Sequence, residues 1–596
     1  MNSRLNKVEV SERYYTWQRR TPFWISFIAV IAVFYDFGFD QNSKQQFALN
    51  SLYTLTLSVG IISTILRYFT LKERPRLKVL LFDVVSVFLF LILIIDELKL
   101  MRGINFFDFF DSSKWYFSAI FLVFIREFSG LRINLNRTYF NPAQVFIISF
   151  LGIIGIGALL LSLPKATYEG ISFIDALFTS TSAVCVTGLI VVDTGSYFTL
   201  FGQCIILVLI QIGGLGIMTF ASYFSYFFRG GTSYENQLIL SDITSSNKLG
   251  EVFTTLKKII LITIIIEAFG AVIIFGGIDS SVIPSFFDRS FFSIFHSVSA
   301  FCNAGFSTLD QSLYDIDFRF NYGLQGIIIF LFIIGGLGFP IVFNLFKYLS
   351  YFVKQRVLPK ILRRENNQII TPWVVNLNSR ITLITTFSLL LIGSIIFYFF
   401  EYSNSLSEHN FIGKIITAIF SAAAPRTAGF STVDISSLHF STLMLIFLLM
   451  WIGASPGSTG GGIKTSTFAI ATLNFWSLAR GKNRIEVFRR EIADISVRRA
   501  FAIISLSLVI IGFGVFVITY LDSDKDLLSI AFECFSAYST VGLSVGITDQ
   551  LSEGSKFVII MVMFIGRVSM LTLLIALVKK EKYKNYRYST EEILIN

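Results

Sequence analysis

Four stretches of this chain set a glycine at the end of a short run of small and polar residues, a pattern suited to holding a bare cation rather than to making or breaking bonds. They are Phe178–Asp193, Phe295–Asp310, Phe420–Asp434 and Phe532–Asp549. Aligned on Gly188, Gly305, Gly429 and Gly542 they recur every 113 to 124 residues, too long for a solenoid and right for a duplicated unit. A bulky apolar residue follows each glycine. An aspartate stands five positions on in three copies (Asp193, Asp310, Asp434); the fourth has Ile547 there and Asp549 two residues later. Glycine takes up positive φ cheaply, so successive carbonyls can point the same way. Four such segments around an axis would stack rings of carbonyl oxygens able to replace the hydration shell of a monovalent cation. Apart from Arg426, the positions leading to the glycines are read as uncharged. One glycine alone could equally serve close helix packing; four in register favour the carbonyl ring. The candidate ring residues are Val186, Thr187, Gly188 and Leu189; Asn303, Ala304, Gly305 and Phe306; Thr427, Ala428, Gly429 and Phe430; and Thr540, Val541, Gly542 and Leu543.

A second recurrence follows each copy: IGGLGIM at Ile212–Met218, IGGLGFP at Ile334–Pro340, IGASPGSTGGGIKT at Ile452–Thr465 and IGRVSML at Ile565–Leu571. The third packs five glycines, a proline and two serines into ten residues. Interior glycine costs a helix about 1 kcal/mol and proline about 3, so this helix is expected to break. Non-helical backbone at membrane depth must be buried or line a watery path. Its residues are Gly453, Ala454, Ser455, Pro456, Gly457, Ser458, Thr459, Gly460, Gly461 and Gly462, with Lys464 just beyond. The sequence here is only weakly like a phosphate-binding loop, lacking the strand–turn–helix setting. Arg567, in the fourth copy, is read in register with Gly213, Gly335 and Gly453. An arginine at mid-membrane costs ~2.5–3.5 kcal/mol on insertion scales. The neighbouring span offers no carboxylate, so pore water or carbonyls of the broken segment are its expected partners.

The elements that position these residues must be membrane helices. The composition is 54% hydrophobic and 15% charged, against a globular norm of about 25% charged. Apolar runs of about 20 residues recur, each able to span a bilayer core. Four spans are expected first: Pro22–Phe37, Leu49–Phe69, Val79–Ile95 and Trp115–Phe128. Four units of span, short re-entrant helix, glycine segment and span follow, giving twelve spans. The outer pairs are Ala143–Leu163 and Tyr197–Phe228, Lys258–Gly276 and Tyr322–Phe352, Ile381–Phe400 and Phe440–Leu473, and Ala500–Tyr520 and Lys556–Val578. Lys and Arg gather at Arg4–Arg20, Arg67–Lys78, Arg126–Arg137, Lys248–Lys258, Lys354–Arg364, Arg480–Arg499 and Lys579–Arg587. With this span count all clusters fall on one side, which by the positive-inside rule puts both termini in the cytoplasm and the glycines in the external half of the membrane. The net charge of +10 therefore reflects topology and not nucleic-acid binding. No cleaved signal peptide is read at Met1–Arg20. Cys185, Cys204, Cys302 and Cys534 lack C-x-x-C spacing and read as free thiols.

His296, His409 and His439 do not pair at metal-ligand spacing; His296 reads as a hydrogen-bonded packing residue. Glu401, Glu408 and the aspartates after the glycines read either as a solvated rim or, for Asp193, Asp310 and Asp434, as a cation-attracting vestibule. Glu267, inside an apolar helix, should face protein or water. In the N-terminal region LFDVVSVFLFLILI at Leu81–Ile94 and FIREFSGLR at Phe124–Arg132 faintly resemble voltage-sensor helices. Only Arg126 and Arg132 stand there, at the cytoplasmic end, so a non-sensing appendage is the preferred reading.

The segments ALFTSTSAVCVTGLIVVDT, SAFCNAGFSTLD, PRTAGFSTVD and GASPGSTGGGIKTSTF resemble the Trk/Ktr/HKT superfamily of potassium transporters, in particular its TrkH- and KtrB-type membrane subunits, over roughly Asn141 to Lys582. The resemblance implies an all-α polytopic fold of four fused helix–pore-loop–helix repeats around a central pore, with four extra helices in front. The corresponding boundaries are 1–140 for the N-terminal region and 141–250, 251–372, 373–494 and 495–596 for the repeats. It also implies potassium as the ion, held at Gly188, Gly305, Gly429 and Gly542, since sodium-preferring members tend to carry serine at the first of these. The broken segment Gly453–Gly462 with Lys464 and Arg567 would be the gate; Ala454, Pro456 and the Gly566–Met570 context depart from the family pattern. A homodimer in the cytoplasmic membrane and a cytosolic ring of nucleotide-binding RCK-type subunits are implied partners; the basic stretches Lys354–Arg364 and Arg480–Arg499 read either as their docking surfaces or equally as positive-inside anchors. The chain itself has no G-x-G-x-x-G in a strand–helix setting, and no organic cofactor or enzymatic activity is expected. The alternatives are a sodium- or proton-coupled symporter and a voltage-influenced channel. Four repeats running in one direction disfavour an inverted-repeat, alternating-access carrier.

Overall fold

The computed structural model describes residues 21–70, 77–97, 113–130, 142–229, 252–352 and 377–577. The basic clusters Arg4–Arg20, Lys354–Arg364 and Lys579–Arg587 lie outside these residues, as do Arg132, parts of the clusters at 67–78, 126–137 and 248–258, and the expected boundaries at 140, 250 and 372. Five described helices are each long and apolar enough to cross a membrane: Thr21–Gly38, Ser43–Phe69, Lys257–Gly277, Leu377–Glu401 and Asp494–Leu521.

The chain divides into two compact units. The first is built on α1 (Thr21–Gly38), α2 (Ser43–Thr70), α3 (Leu77–Glu97) and α4 (Ser113–Gly130). Val33, Tyr53 and Ile120 pack at one level of this bundle, Leu57, Phe90 and Val123 at another. Its buried charges are paired. The Arg126 guanidinium donates twice to Asp83, at 2.6 and 2.7 Å, and Tyr68 donates to the same carboxylate at 2.8 Å. Arg67 pairs with Glu127, which also accepts from Ser63 at 2.9 Å. A fork-to-fork arginine–carboxylate pair of this kind fixes orientation as well as charge.

The second unit contains α5 (Pro142–Leu161), α6 (Phe173–Cys185), α7 (Leu200–Arg229), α8 (Val252–Gly277), α9 (Phe286–Cys302), α10 (Tyr322–Leu337), α11 (Phe339–Phe352), α12 (Leu377–Glu401), α13 (Phe411–Ala423), α14 (Phe440–Trp451), α15 (Thr465–Ala479), α16 (Asp494–Leu521), α17 (Leu527–Ser539), α18 (Glu553–Val568) and α19 (Met570–Leu577). Helices α6, α9, α13 and α17 run for 13, 17, 13 and 13 residues. At 1.5 Å per residue these are too short to cross ~30 Å of hydrocarbon. Each starts at a side-chain cap: Ser172 accepts from Asp175 N, Ser285 from Asp288 N, Asn410 from Gly413 N and Asp526 from Leu528 N. Such caps satisfy amides that the first turn leaves unpaired. Each short helix packs on the helix before it and on one from another glycine unit (α6 on α18, α9 on α7, α13 on α10 and α17 on α14), and all but α13 pack also on the helix that follows; between α13 and α14 the turn Ala424–Arg426 makes the contact.

Two expected spans are interrupted where continuous helices were anticipated. Tyr322–Phe352 breaks at Gly338, and the fourth breaks at Ser569, with φ of 81° and 73°. These positions match one another in the IGGLGFP and IGRVSML segments. The basic stretch Arg480–Arg499 includes a small hairpin, β1 (Glu486–Val487) and β2 (Arg490–Glu491). Phe488 and Arg489 turn it with φ of 51° and 63°, without the Asn-Gly signal that usually announces such a turn.

Candidate ion pathway

Three of the short helices end in the same way. Val186, Asn303 and Thr540 take left-handed φ of 57°, 61° and 50°. Their amides and those that follow bond back to the last turn, as Thr187 N does to Ser182 O (2.8 Å), Ala304 N to Ser299 O (2.8 Å) and Val541 N to Ser536 O (2.9 Å). Glycine usually fills this cap position. A valine or threonine there costs on the order of 1–2 kcal/mol, and such strain collects where a fold imposes a function. The third helix ends differently. Ala424–Arg426 forms a 3-10 turn with Pro425 at its start, and Thr427 has φ of 128°.

Two residues past each cap lies the glycine. Gly188, Gly305, Gly429 and Gly542 have φ of 89°, 70°, 72° and 91°. A Cβ added to Gly188 would collide with the Ala304 carbonyl oxygen; one on Gly305 with that of Ala428, on Gly429 with that of Val541, and on Gly542 with that of Thr187. The four contacts run once around and return to the start. Each glycine thus abuts the carbonyl just before the next glycine, and no larger residue fits. Leu189, Phe306, Phe430 and Leu543 turn away from this circuit and are buried in the surrounding core.

On one side of the circuit opens a cavity of about 620 Å³, lined by the four glycines and by Asp193, Asp310, Asp434 and Asp549. Asp193 also closes its own turn, accepting from Gly195 N (2.7 Å), Ser196 N (2.9 Å) and Ser196 Oγ (3.0 Å). Burial holds its carboxyl above the usual carboxylate range; those hydrogen bonds oppose the rise and Asp310 adds to it. Glu401 is not part of a solvated rim. It is fully buried, accepting from Thr442 Oγ1 (2.6 Å), His439 N (3.0 Å) and Asn404 Nδ2 (2.7 Å), and so ties α12 to the start of α14. Glu408 pairs with Arg319.

On the other side lies the interruption between α14 and α15. Ile452 and Ile463 bridge at its neck, and Thr465 N reaches Ala454 O at 3.1 Å. Gly460 and Gly461 pack on the side chains of Thr427 and Thr540, and Gly461 N donates to Thr540 Oγ1 at 2.9 Å. Ser455 N reaches Gly336 O (3.0 Å), and Phe339 N reaches Gly457 O (3.1 Å). Three cations surround the loop, Arg426 and Arg567 buried and Lys464 half-buried; each donates to carbonyl oxygens, and Nε of both arginines is left without a partner among the described residues. Lys464 Nζ donates to Gly460 O at 2.6 Å. Arg426 reaches Thr386 O (3.4 Å) and Gly453 O (3.5 Å). Arg567 donates to Thr459 O and, at 2.5 Å, to Gly213 O.

The register expected for Arg567 is off by one. Gly566, not Arg567, matches Gly213 and Gly335: the three lie against the carbonyls of Tyr538, Val184 and Phe301, each four residues before its ring glycine. Arg567 therefore takes the place of Gly214 and Gly336. Glu267 faces protein, accepting from Gln211 Nε2 at 3.1 Å and from the Cys302 thiol at 3.8 Å. His296 is buried, with Nδ1 2.9 Å from Phe292 O and Nε2 2.9 Å from Ser307 Oγ. All four cysteines are free thiols. Polar residues behind the circuit were missed: Ser182 and Ser536, which accept from Gly188 N and Gly542 N at 3.1 Å, and Glu533, in α17, which is 1% exposed and accepts from the backbone and hydroxyls just beyond Gly542. Glu533 stands within the fourth repeated stretch, and its only signal was a charge among apolar neighbours.

A family described as "TrkH: Cation transport protein" matches residues 134–588. Ktr system potassium uptake protein B of Bacillus subtilis is 37% identical over 458 residues, 76% of this chain and 96% of that protein. Potassium/sodium uptake protein NtpJ of Enterococcus hirae is 34% identical over 77% of this chain and 98% of its own. The crystal structure of the potassium transporter TrkH from Vibrio parahaemolyticus shares the fold, with a TM-score of 0.59 over 84% of this chain and 97% of that one at 19% identity. This predominantly helical membrane protein belongs to the TrkH cation transport protein family.

Proposed function

We propose that the chain takes up potassium through a channel-like pore. The glycine circuit is its selectivity filter, and Gly453–Gly462, with Lys464 and Arg567, is its gate. The observation that carries this reading is the closed sequence of glycine-to-carbonyl contacts, which admits no side chain at the four glycines and sets backbone oxygens beside them. Carbonyl rings there exchange for the hydration shell of a monovalent cation. The four short helices end at the circuit, and the partial negative charge of a helix C-terminus, roughly half an elementary charge each, favours a cation there. Thr187 and Ser539 add buried hydroxyl oxygens that have no hydrogen-bond partner in the protein. The vestibule aspartates raise the local cation concentration. Beneath the filter the loop narrows the path, and Arg567 places a fixed positive charge against it.

The names of the relatives, a potassium uptake protein and a potassium/sodium uptake protein, support potassium and leave a sodium-coupled mode as the second reading. The four-helix unit is taken as non-sensing, because Arg126 and Arg67 are both tied to carboxylates. Twelve spans, cytoplasmic termini, a homodimer in the cytoplasmic membrane and RCK-type cytosolic subunits complete the proposal. The test is electrical. Purified protein in planar bilayers under opposed potassium and sodium gradients should give currents reversing at the potassium equilibrium potential. A reversal that follows the sodium or proton gradient as well would favour the coupled symporter.

A further inference from the structure

Glu533 lies nine residues before Gly542, buried behind the outer mouth of the circuit. One of its oxygens accepts from Ser544 Oγ (2.5 Å) and Val545 N (3.3 Å), the other from Thr548 Oγ1 (2.9 Å). Ser544 Oγ in turn lies 3.0 Å from Thr548 Oγ1 and accepts from Gly546 N at 2.9 Å. The backbone immediately beyond the fourth glycine thus hangs on one carboxylate. The second copy repeats the geometry with different chemistry. His296, nine residues before Gly305, holds Ser307 two residues after it, and Ser307 Oγ accepts from Leu309 N at 3.0 Å. The first and third copies do not. Thr179 bonds to Asp175 O within its own helix, opposite Ile190. Phe420 is apolar, and Ser431 turns to Val433 O. The clamped copies, second and fourth, are not neighbours in the circuit.

A carboxylate is costly to bury, and an apolar side chain of similar size would suit the helix interior better. Its presence at a site where every partner belongs to the filter's outer mouth points to position rather than bulk. Resting on the reading of the circuit as a filter, we propose that Glu533 and His296 are positioning residues that hold two opposed filter segments rigid and so set potassium-over-sodium discrimination. A smaller ion requires the ring to close inward, and segments fixed from behind resist that movement.

The test uses the full chain in liposomes, with potassium and sodium fluxes measured side by side. Glu533→Val removes all three acceptor contacts and should lower the potassium-to-sodium flux ratio by about fivefold, while Glu533→Gln, which keeps an acceptor for Ser544 and Val545, stays within about twofold of wild type. Glu401→Gln is the control. That carboxylate is as buried and as fully bonded but touches no filter segment, so its variant should lose thermal stability without moving the ratio. Gly188→Ser reads the filter itself and should lower the ratio. A folded Glu533→Val protein with the wild-type ratio, beside a Gly188→Ser protein that has lost it, overturns the inference and spares the filter. If Gly188→Ser also keeps the ratio, both fall. Should Glu533→Val fail to fold, His296→Phe decides: a lowered ratio supports the inference and an unchanged one overturns it.

Discussion

The third and fourth glycine segments occupy neighbouring places in one circuit and are held there by different means. In the fourth, Ser536 Oγ accepts from Gly542 N at 3.1 Å, and Glu533 holds the residues beyond. In the third, the corresponding positions are Ala423 and Phe420, and neither reaches the glycine. That segment is tied instead to the interrupted helix of its own unit. Thr427 packs on Gly460 and is hydrogen-bonded to the Asn303 side chain at 2.7 Å, while Arg426 reaches Gly453 O. A shared circuit of glycine-to-carbonyl contacts therefore hides unequal support. Both segments touch the interrupted helix, the fourth through the 2.9 Å hydrogen bond from Gly461 N to Thr540 Oγ1, but only the fourth is also fixed by side chains behind it. A displacement of the loop would be felt at both Thr427 and Thr540, and only the fourth segment has a second support, from behind, to resist it.

The largest expected effect follows from removing the loop. Shortening it between Ala454 and Gly461 should raise potassium flux on the order of tenfold, a change of about 1.4 kcal/mol in the barrier. Arg567→Gln should raise it several-fold, since one repulsive charge leaves the path while the loop stays. Both should keep the potassium-to-sodium ratio. Flux into liposomes checks them, and folded variants that conduct no faster than the parent would place the barrier elsewhere.

The contrast between segments can be sharpened by swapping their supports. Ser536→Ala should destabilise the protein by about 1 kcal/mol, the usual worth of such a hydrogen bond, read as a lowered unfolding midpoint in detergent. Ala423→Ser should give no matching gain, because Gly429 N already points to Ala424 O. An equal gain would show the third segment to be merely a weaker version of the fourth.

The smallest effect concerns the vestibule. Asp193 is protonated at a higher pH than an ordinary carboxylate, because burial raises its pKa. As pH falls it loses its charge before an exposed aspartate would, and inward flux at low potassium should drop by about twofold over that range. Asp193→Asn should show the lower flux throughout and lack this step. A pH profile identical in the two proteins would make the aspartate only the closure of its own turn.

Much of this was legible in the sequence because backbone demands leave residue-level marks. A position that admits no Cβ is glycine, so the circuit announced itself at Gly188, Gly305, Gly429 and Gly542. A helix with five glycines and a proline cannot stay helical, and Gly453–Gly462 is indeed open. The supports were harder to see because each solves the same problem with a different side chain: His296 and Glu533 share a place and nothing else. The breaks at Gly338 and Ser569 were missed because one residue with positive φ suffices, and serine is not an obvious choice for it. Glu401 was misread because a carboxylate at the end of an apolar helix looks solvated until the caps that bury it, His439 N and Thr442, are placed in space. Arg567 stands one residue later in the repeat than the glycine pattern suggests, because it is close approach to the Tyr538 carbonyl that marks the position, and that picks out Gly566.

The central claim is that carbonyls of the glycine circuit coordinate the transported cation. Anomalous diffraction from crystals grown in rubidium or thallium tests it without mutation. The expected result is a peak on the axis of the circuit, among the carbonyl oxygens of Thr187, Ala304, Ala428 and Val541, that weakens when the salt is exchanged for sodium. Anomalous density elsewhere in the protein with none at the circuit would contradict it.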